Sequence, residues 1–157
     1  MPALEDMRQF AAALPSRRNK GAILLHPALP EQRSYAARLA AAVTARHLDV
    51  LARFQEDASL MSRLATFTTD DLLALVAEQA DPPLVVVSGI EFLLGVWLSQ
   101  REPKQVKQEL CRKAELWERQ PAFVLVTHED PVLAGYQPER FPGTRVVLHT
   151  SQTLALE

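Results

Sequence analysis

The chain has 157 residues, 48% hydrophobic and 23% charged, which is enough apolar material for one core in a single unit spanning 1–157. A net charge of −2 excludes a chain-wide attraction to nucleic acid or acidic membrane, and a single cysteine, Cys111, excludes an internal disulfide and a Cys-rich zinc site. No run approaches the ~18 apolar residues of a membrane-spanning helix, and the N-terminus lacks a basic flank ahead of an apolar block, so the expected setting is the reducing cytoplasm with no membrane partner.

Leu4, Met7, Phe10, Ala11 and Leu14 recur at helical spacing until Pro15, which predicts an N-terminal helix followed by a polar linker, Ser16 to Lys20. Gly21 opens a short apolar run, Ala22 to Leu25, that reads as a first buried strand ended by His26, Pro27 and Pro30. From Glu31, the positions of Tyr35, Ala36, Leu39, Ala40 and Val43 predict a helix in an Ala-rich stretch of high propensity. Leu48, Val50, Ala52 and Phe54 alternate and are read as a strand, although Leu48, Leu51 and Gln55 would also continue a helix.

Thr68 to Asp71 form a capping pattern ahead of an apolar face of Leu72, Leu73, Leu75 and Val76, and Asp81, Pro82 and Pro83 stop that helix. Leu84 to Val87 read as a buried strand. Helices are expected over Ile90 to Gln100 and Pro103 to Gln120, the second carrying Val106, Leu110, Ala114 and Trp117 on one face. Ala122 to Val126 is a further strand, a Pro/Gly-rich loop runs to Gly143, Val146 to Leu148 is a last buried strand, and Thr153 to Leu156 is read as a hairpin partner. Strands alternating with helices predict a mostly parallel sheet of about five strands in three α/β/α layers, with ligands expected beyond the strand ends at Leu25, Val87 and Val126.

Two altered motifs lie at those ends. A phosphate loop needs glycines for converging amides, a Lys for the terminal phosphates and a hydroxyl for magnesium, in the spacing G-x-x-x-x-G-K-S/T. Here Pro27-Ala28-Leu29-Pro30-Glu31-Gln32-Arg33-Ser34 stands in that place. Pro27 and Gln32 occupy the glycine positions, Arg33 the Lys position and Ser34 the hydroxyl position. The second motif is the apolar strand Leu84 to Val87, ending in Ser88, Gly89, Ile90 and Glu91, with Ser88 where a carboxylate would manage magnesium.

Element order and the two altered signatures make the chain resemble the P-loop NTPase superfamily, and its RecA-like branch in particular, over roughly Gly21 to Glu157. The resemblance implies a RecA-like α/β/α core behind an N-terminal helix and linker, residues 1–20. It implies a nucleotide site at Gln32, Arg33, Ser34, Ser88, Glu91 and Thr127. Ser88 replaces the family's magnesium carboxylate, Glu91 stands where the water-polarising Glu is found, and Thr127 or His128 stands at its polar sensor. Losing the Lys, the glycines and the magnesium carboxylate together argues against hydrolysis, so no catalytic residue and no cofactor are expected, with ATP and magnesium as the alternative. Phe10-Ala11-Ala12-Ala13 resembles the Phe-x-x-Ala segment by which RecA-like recombinases dock on a neighbouring subunit, making Phe10 and Ala13 candidate partner contacts.

Simpler roles stand beside these. Arg33 and Ser34 are read first as a surface cation and a polar residue at a helix start, Ser88-Gly89 as a turn after a strand, and the N-terminal helix as packed on its own domain. His26 and His128 without a third ligand read as loop histidines rather than a metal site, and His47 and His149 add no constellation. Cys111 reads as a packed thiol, Trp97 and Trp117 as core or interface aromatics, and no G-x-S-x-G elbow exists. The function expected is a noncatalytic RecA-like accessory protein or scaffold, a pseudo-ATPase acting through a protein partner or its own oligomer, in DNA recombination, DNA repair or phage defence. The alternatives are an ATP-binding protein or weak ATPase gripping phosphate with Arg33, Ser34 and helix amides, and a small DNA-binding module using Arg17, Arg18, Lys20 and the Arg101 to Arg119 segment. In that segment six Lys/Arg alternate with four Glu.

Overall fold

Three central strands have no polar face, and that dictates the architecture. β1 (Gly21–His26) and β3 (Leu84–Ser88) are buried at every residue and β4 (Ala122–His128) at all but its last. Strands covered on both sides are the mark of a parallel sheet clothed by helices. The computed structural model describes residues 6–27, 29–79, 82–140, 145–153 and 156, without the side chains of 29–31. It forms one five-stranded, all-parallel sheet in the order β2-β3-β4-β1-β5, with β2 (Arg46–Asp49) and β5 (Val147–His149) at its edges.

Side chains alternate across the sheet with period two. Ala22, Leu24, Val86, Val124 and Val126 face one layer, made by α1 (Met7–Ala13) and α2 (Leu29–Ala42), whose Met7, Phe10, Leu14, Tyr35 and Leu39 pack on them. Ile23, Leu25, Val85, Val87 and Leu125 face the other. That layer comprises α3 (Val50–Glu56), α4 (Ala58–Ser62), α5 (Thr69–Ala77), α6 (Glu91–Gln100), α7 (Pro103–Glu115) and α8 (Pro131–Ala134). Its core centres on Phe54, Leu72, Leu93, Trp97, Leu110 and Leu133. Each buried Val, Leu or Ile contributes roughly 1.5–3 kcal/mol, so the doubly covered sheet supplies most of the driving force. The three-layer α/β/α class expected from the sequence is the observed one. Among the described residues no helix is long and apolar enough to cross a membrane.

The capping pattern at Thr68 is realised in full: Asp71 N donates to the Thr68 hydroxyl at 3.2 Å, and Thr68 N donates to the Asp71 carboxylate at 2.8 Å. Elsewhere the structure corrects the sequence reading. The alternating stretch from Leu48 is a strand only to Asp49. There the Asp49 carboxylate accepts from Ala52 N at 3.1 Å and starts α3, so Val50, Ala52 and Phe54 are helical. α2 begins at Leu29 rather than Glu31. α7 stops at Glu115, short of Gln120, because the Asn19 amide donates to the carbonyls of Ala114 at 2.9 Å and Glu115 at 2.7 Å and takes up its last acceptors. The supposed loop after β4 contains α8, capped by Asp130 through Val132 N at 2.8 Å. The loop's 141–144 and residues 154 and 155 of the expected 153–156 hairpin, together with Leu4, Ala28 and Asp81, lie outside the described residues.

Two further contacts fix the ends of the sheet. Glu115, 1% exposed, accepts from Tyr136 Oη at 2.6 Å and from the amides of Glu139 at 3.2 Å and Arg140 at 2.7 Å, anchoring the chain that leads to β5. Burial, and then the Glu115 carboxylate, raises the Tyr136 phenol above its ordinary value. At the start of β1, a Cβ on Gly21 would stand 2.4 Å from the Ala114 carbonyl oxygen, whereas a Cβ on Gly95 in α6 would meet nothing within 4 Å. We therefore expect opposite signs from one substitution. Gly21→Ala should lower the unfolding free energy by about 1–3 kcal/mol through overpacking, and Gly95→Ala should raise it by about 0.4–1 kcal/mol by restricting the unfolded chain, both read from urea unfolding.

Candidate functional site

A parallel sheet brings the carboxyl ends of all its strands to one edge. β1 and β4 lie side by side, and the chain leaving β1 crosses to β2 while the chain leaving β4 crosses to β5 on the opposite face. Such a divergence opens a crevice between strand ends, the usual ligand position in this architecture.

Polar side chains fill that crevice. Glu91, first residue of α6, accepts at Oε2 from Thr127 Oγ1 at 2.7 Å and from His128 N at 3.3 Å. The Gln32 amide, oriented with its nitrogen towards Glu91, donates to the same oxygen at 3.1 Å and accepts from His128 N at 2.9 Å. Gln32 is 3% exposed and Thr127 fully buried, so the half-buried Glu91 carboxylate ties α2, β4 and α6 together. Bonds to a charged acceptor contribute roughly 1.5–3 kcal/mol each and leave costly orphans if the acceptor is removed. Nδ1 of His128 is buried with no hydrogen-bond partner.

A second pair of contacts closes the β2–β3 side. Asp49 and Ser88 are register partners at the ends of these strands. Ser88 is fully buried, and its hydroxyl lies 2.7 Å from His47 Nε2. Asp49, already capping α3, forms an ion pair with the Arg33 guanidinium. Gly89 adopts φ +74, and a Cβ there would sit 2.8 Å from Asp49 Oδ1, so glycine is required both for the left-handed turn and for the approach of α3. Gln32, Arg33, Asp49, Leu51, Gly89 and Glu91 together line a recess of about 140 Å³.

Five of the six residues assigned to a nucleotide site therefore converge at one edge: Gln32, Arg33, Ser88, Glu91 and Thr127. Ser34 is exposed on α2 and does not line the recess. The convergence does not fit a triphosphate with magnesium. α2 begins at Leu29, three residues after the end of β1, so positions 29–34 of the segment aligned with the phosphate loop are helix. Arg33 and Ser34 stand fifth and sixth in α2, beyond the first four amides that a helix leaves open. Ser88 carries no charge and is spent on His47, and two carboxylates, Asp49 and Glu91, face the recess against one guanidinium. A phosphate group would meet net repulsion there.

Asp49 and His47 escape a sequence reading because the stretch through Phe54 looks like a single strand. The available signal was Asp49 as a cap ahead of Val50-Leu51-Ala52. Other candidates resolve into local roles. Phe10 is 8% exposed, packed on its own sheet under the Arg17 guanidinium, while Ala13 is exposed. His26 packs against the Tyr35 ring and His149 bonds Glu129 at 2.7 Å. Among the described residues no group of three His, Cys, Asp or Glu is placed to hold a metal. Cys111 is buried, its thiol pushed up to about 12 by burial first and by Asp130 second. Several cations of the basic segments are paired: Arg18 with Glu118, Arg101 with Glu109, Lys107 with Asp130 and Lys113 with Asp70.

Two measurements probe this edge. In a double-mutant cycle read by urea unfolding, Glu91→Ala and Thr127→Val should each destabilise the fold and should couple by about 0.5–3 kcal/mol. Burial holds His47 below its ordinary range, with Asp49 opposing the shift and Arg33 adding to it. The unfolded chain thus protonates first as the pH falls below about 6.5, so the His47 contribution is full above that value and is lost as pH falls through the lower folded one. Urea midpoints against pH should show this loss in the native chain, and His47→Asn should remove that part of the slope. Neither the protein-family models nor the curated proteins searched contain a match to this chain.

Proposed function

We propose that this protein is a noncatalytic relative of the RecA-like P-loop NTPases that works through contacts with other macromolecules and neither binds nor hydrolyses ATP. The observation that carries the reading is the closed carboxyl edge. Gln32 and Glu91 fill the crevice where phosphates would lie, Asp49 occupies Arg33, and a helix replaces the loop whose amides would grip an anion. The strand order supports the kinship, because β4 with its polar Thr127 lies between the two strands that carry the altered motifs. The cellular setting, an accessory role in DNA recombination, repair or phage defence, is the one that this kinship suggests.

The catalytic argument is one of missing parts. Phosphoryl transfer depends on a metal held near the transferred group and on cations poised at its oxygens. Ser88 cannot hold magnesium as a carboxylate would. Isothermal titration with ATP and magnesium tests the proposal. No saturable binding is expected up to about 1 mM nucleotide, the level at which association is worth only ~4 kcal/mol. Micromolar binding, with turnover abolished by Arg33→Ala, would overturn it.

A further inference from the structure

Far from the carboxyl edge, on the face covered by α5 and α7, an open groove of about 450 Å³ runs beside the end of α5. Leu73, Ala74 and Ala77 of α5, with Trp117, supply its apolar lining, and Glu78 and Arg119 supply opposite charges. Asp70, also at the groove, is satisfied by Lys113 Nζ at 2.5 Å. Glu78 and Arg119 are different. Among the described residues neither has an ion-pair partner, and no ion pair joins them across the groove. Arg119 instead lies over the Trp117 ring at 5.1 Å from its centroid, held ready on an aromatic platform. Leu116, the residue before Trp117 in the chain, is 47% exposed, the most exposed large apolar side chain among the described residues.

We propose that this groove is the interface of a homodimer: a second copy of the chain docks about a two-fold axis, the Leu116 of each copy entering the groove of the other and the Glu78 of each facing the Arg119 of the other. A two-fold contact places the same patch on both sides, so a patch must carry both the knob and the hole, and both signs of charge. This one does. A foreign acidic helix would answer Arg119 and leave Glu78 unpaired, and a basic one would do the reverse; a second copy answers both. Small Ala74 and Ala77 give the groove depth for a leucine, and a stacked Trp–Arg pair is the composition that carries binding energy at interfaces. The proposal deepens the reading of the protein as one that acts through contacts, and rests on it.

Light scattering and sedimentation of the full chain over a range of concentrations test it. The mass should rise from 17.5 kDa towards twice that value. Leu116→Arg, Glu78→Arg and Arg119→Glu should each weaken association by about tenfold or more with unchanged circular dichroism, and the double variant Glu78→Arg/Arg119→Glu should recover at least the loss of one single variant. A chain monomeric at every concentration would overturn the proposal and leave the groove to another protein. So would a dimer indifferent to Leu116→Arg, or a charge swap that fails to recover. Nucleotide titration reads the carboxyl edge and mass reads the groove: a dimer that binds ATP sinks only the noncatalytic reading, and an ATP-inert monomer sinks only the dimer.

Discussion

Removal of β1, β3 and β4 from water on both faces is the constraint on which the rest of the molecule depends. Twin hydrophobic layers demand helices above and below, helices between neighbouring strands demand parallel crossovers, and parallel crossovers send every strand end to the same rim. The rim is then the one place where buried strands can change from apolar to polar without leaving the sheet. Ser88, Thr127 and His128 make that change at the ends of β3 and β4, and Gln32 and Glu91 come from the helices that begin there. A polar cluster at this rim follows from the architecture; what distinguishes this chain is that most of its polar groups are spent on one another, the buried Nδ1 of His128 excepted.

That self-satisfaction has an electrostatic logic. In a nucleotide enzyme the rim would hold unspent donors and cations awaiting an anion. Here each candidate is matched internally, Arg33 by Asp49, Thr127 and Gln32 by Glu91, Ser88 by His47. Burying carboxylates with their donors costs desolvation that the bonds repay only if every member is in place. The rim therefore acts as a rivet between layers, joining α2 on one face to α3 and α6 on the other.

Much of this was legible in the sequence because hydrophobic period is a strong signal in long or fully apolar segments. Leu84 to Val87 and Ala122 to Val126 could only be buried strands, and Thr68 to Asp71 announced a helix start by its side-chain chemistry. The legibility failed where a local signal had a distant cause. α7 ends at Glu115 because Asn19, 96 residues earlier, caps it, and nothing near Glu115 says so. β2 gives way to α3 at Asp49, where alternation and helical spacing coexist. At the candidate site the sequence identified residues that meet in space yet not what they do there, since Pro27 to Ser34 matches a loop motif in spacing while its later part coils into α2.

The strand order carries a consequence for how the chain comes into being on the ribosome. β1 is made before both of its neighbours, β4 and β5, so neither of its edges can be paired until residues 122–128 have emerged. Meanwhile β2 and β3 can join each other, leaving a nascent polypeptide with a two-stranded fragment and a lone, largely apolar strand. Unpaired edges of that kind invite intermolecular pairing, and long-range closure is slow. Topology, rather than final stability, thus sets how long Gly21 to His26 waits for a partner strand during synthesis.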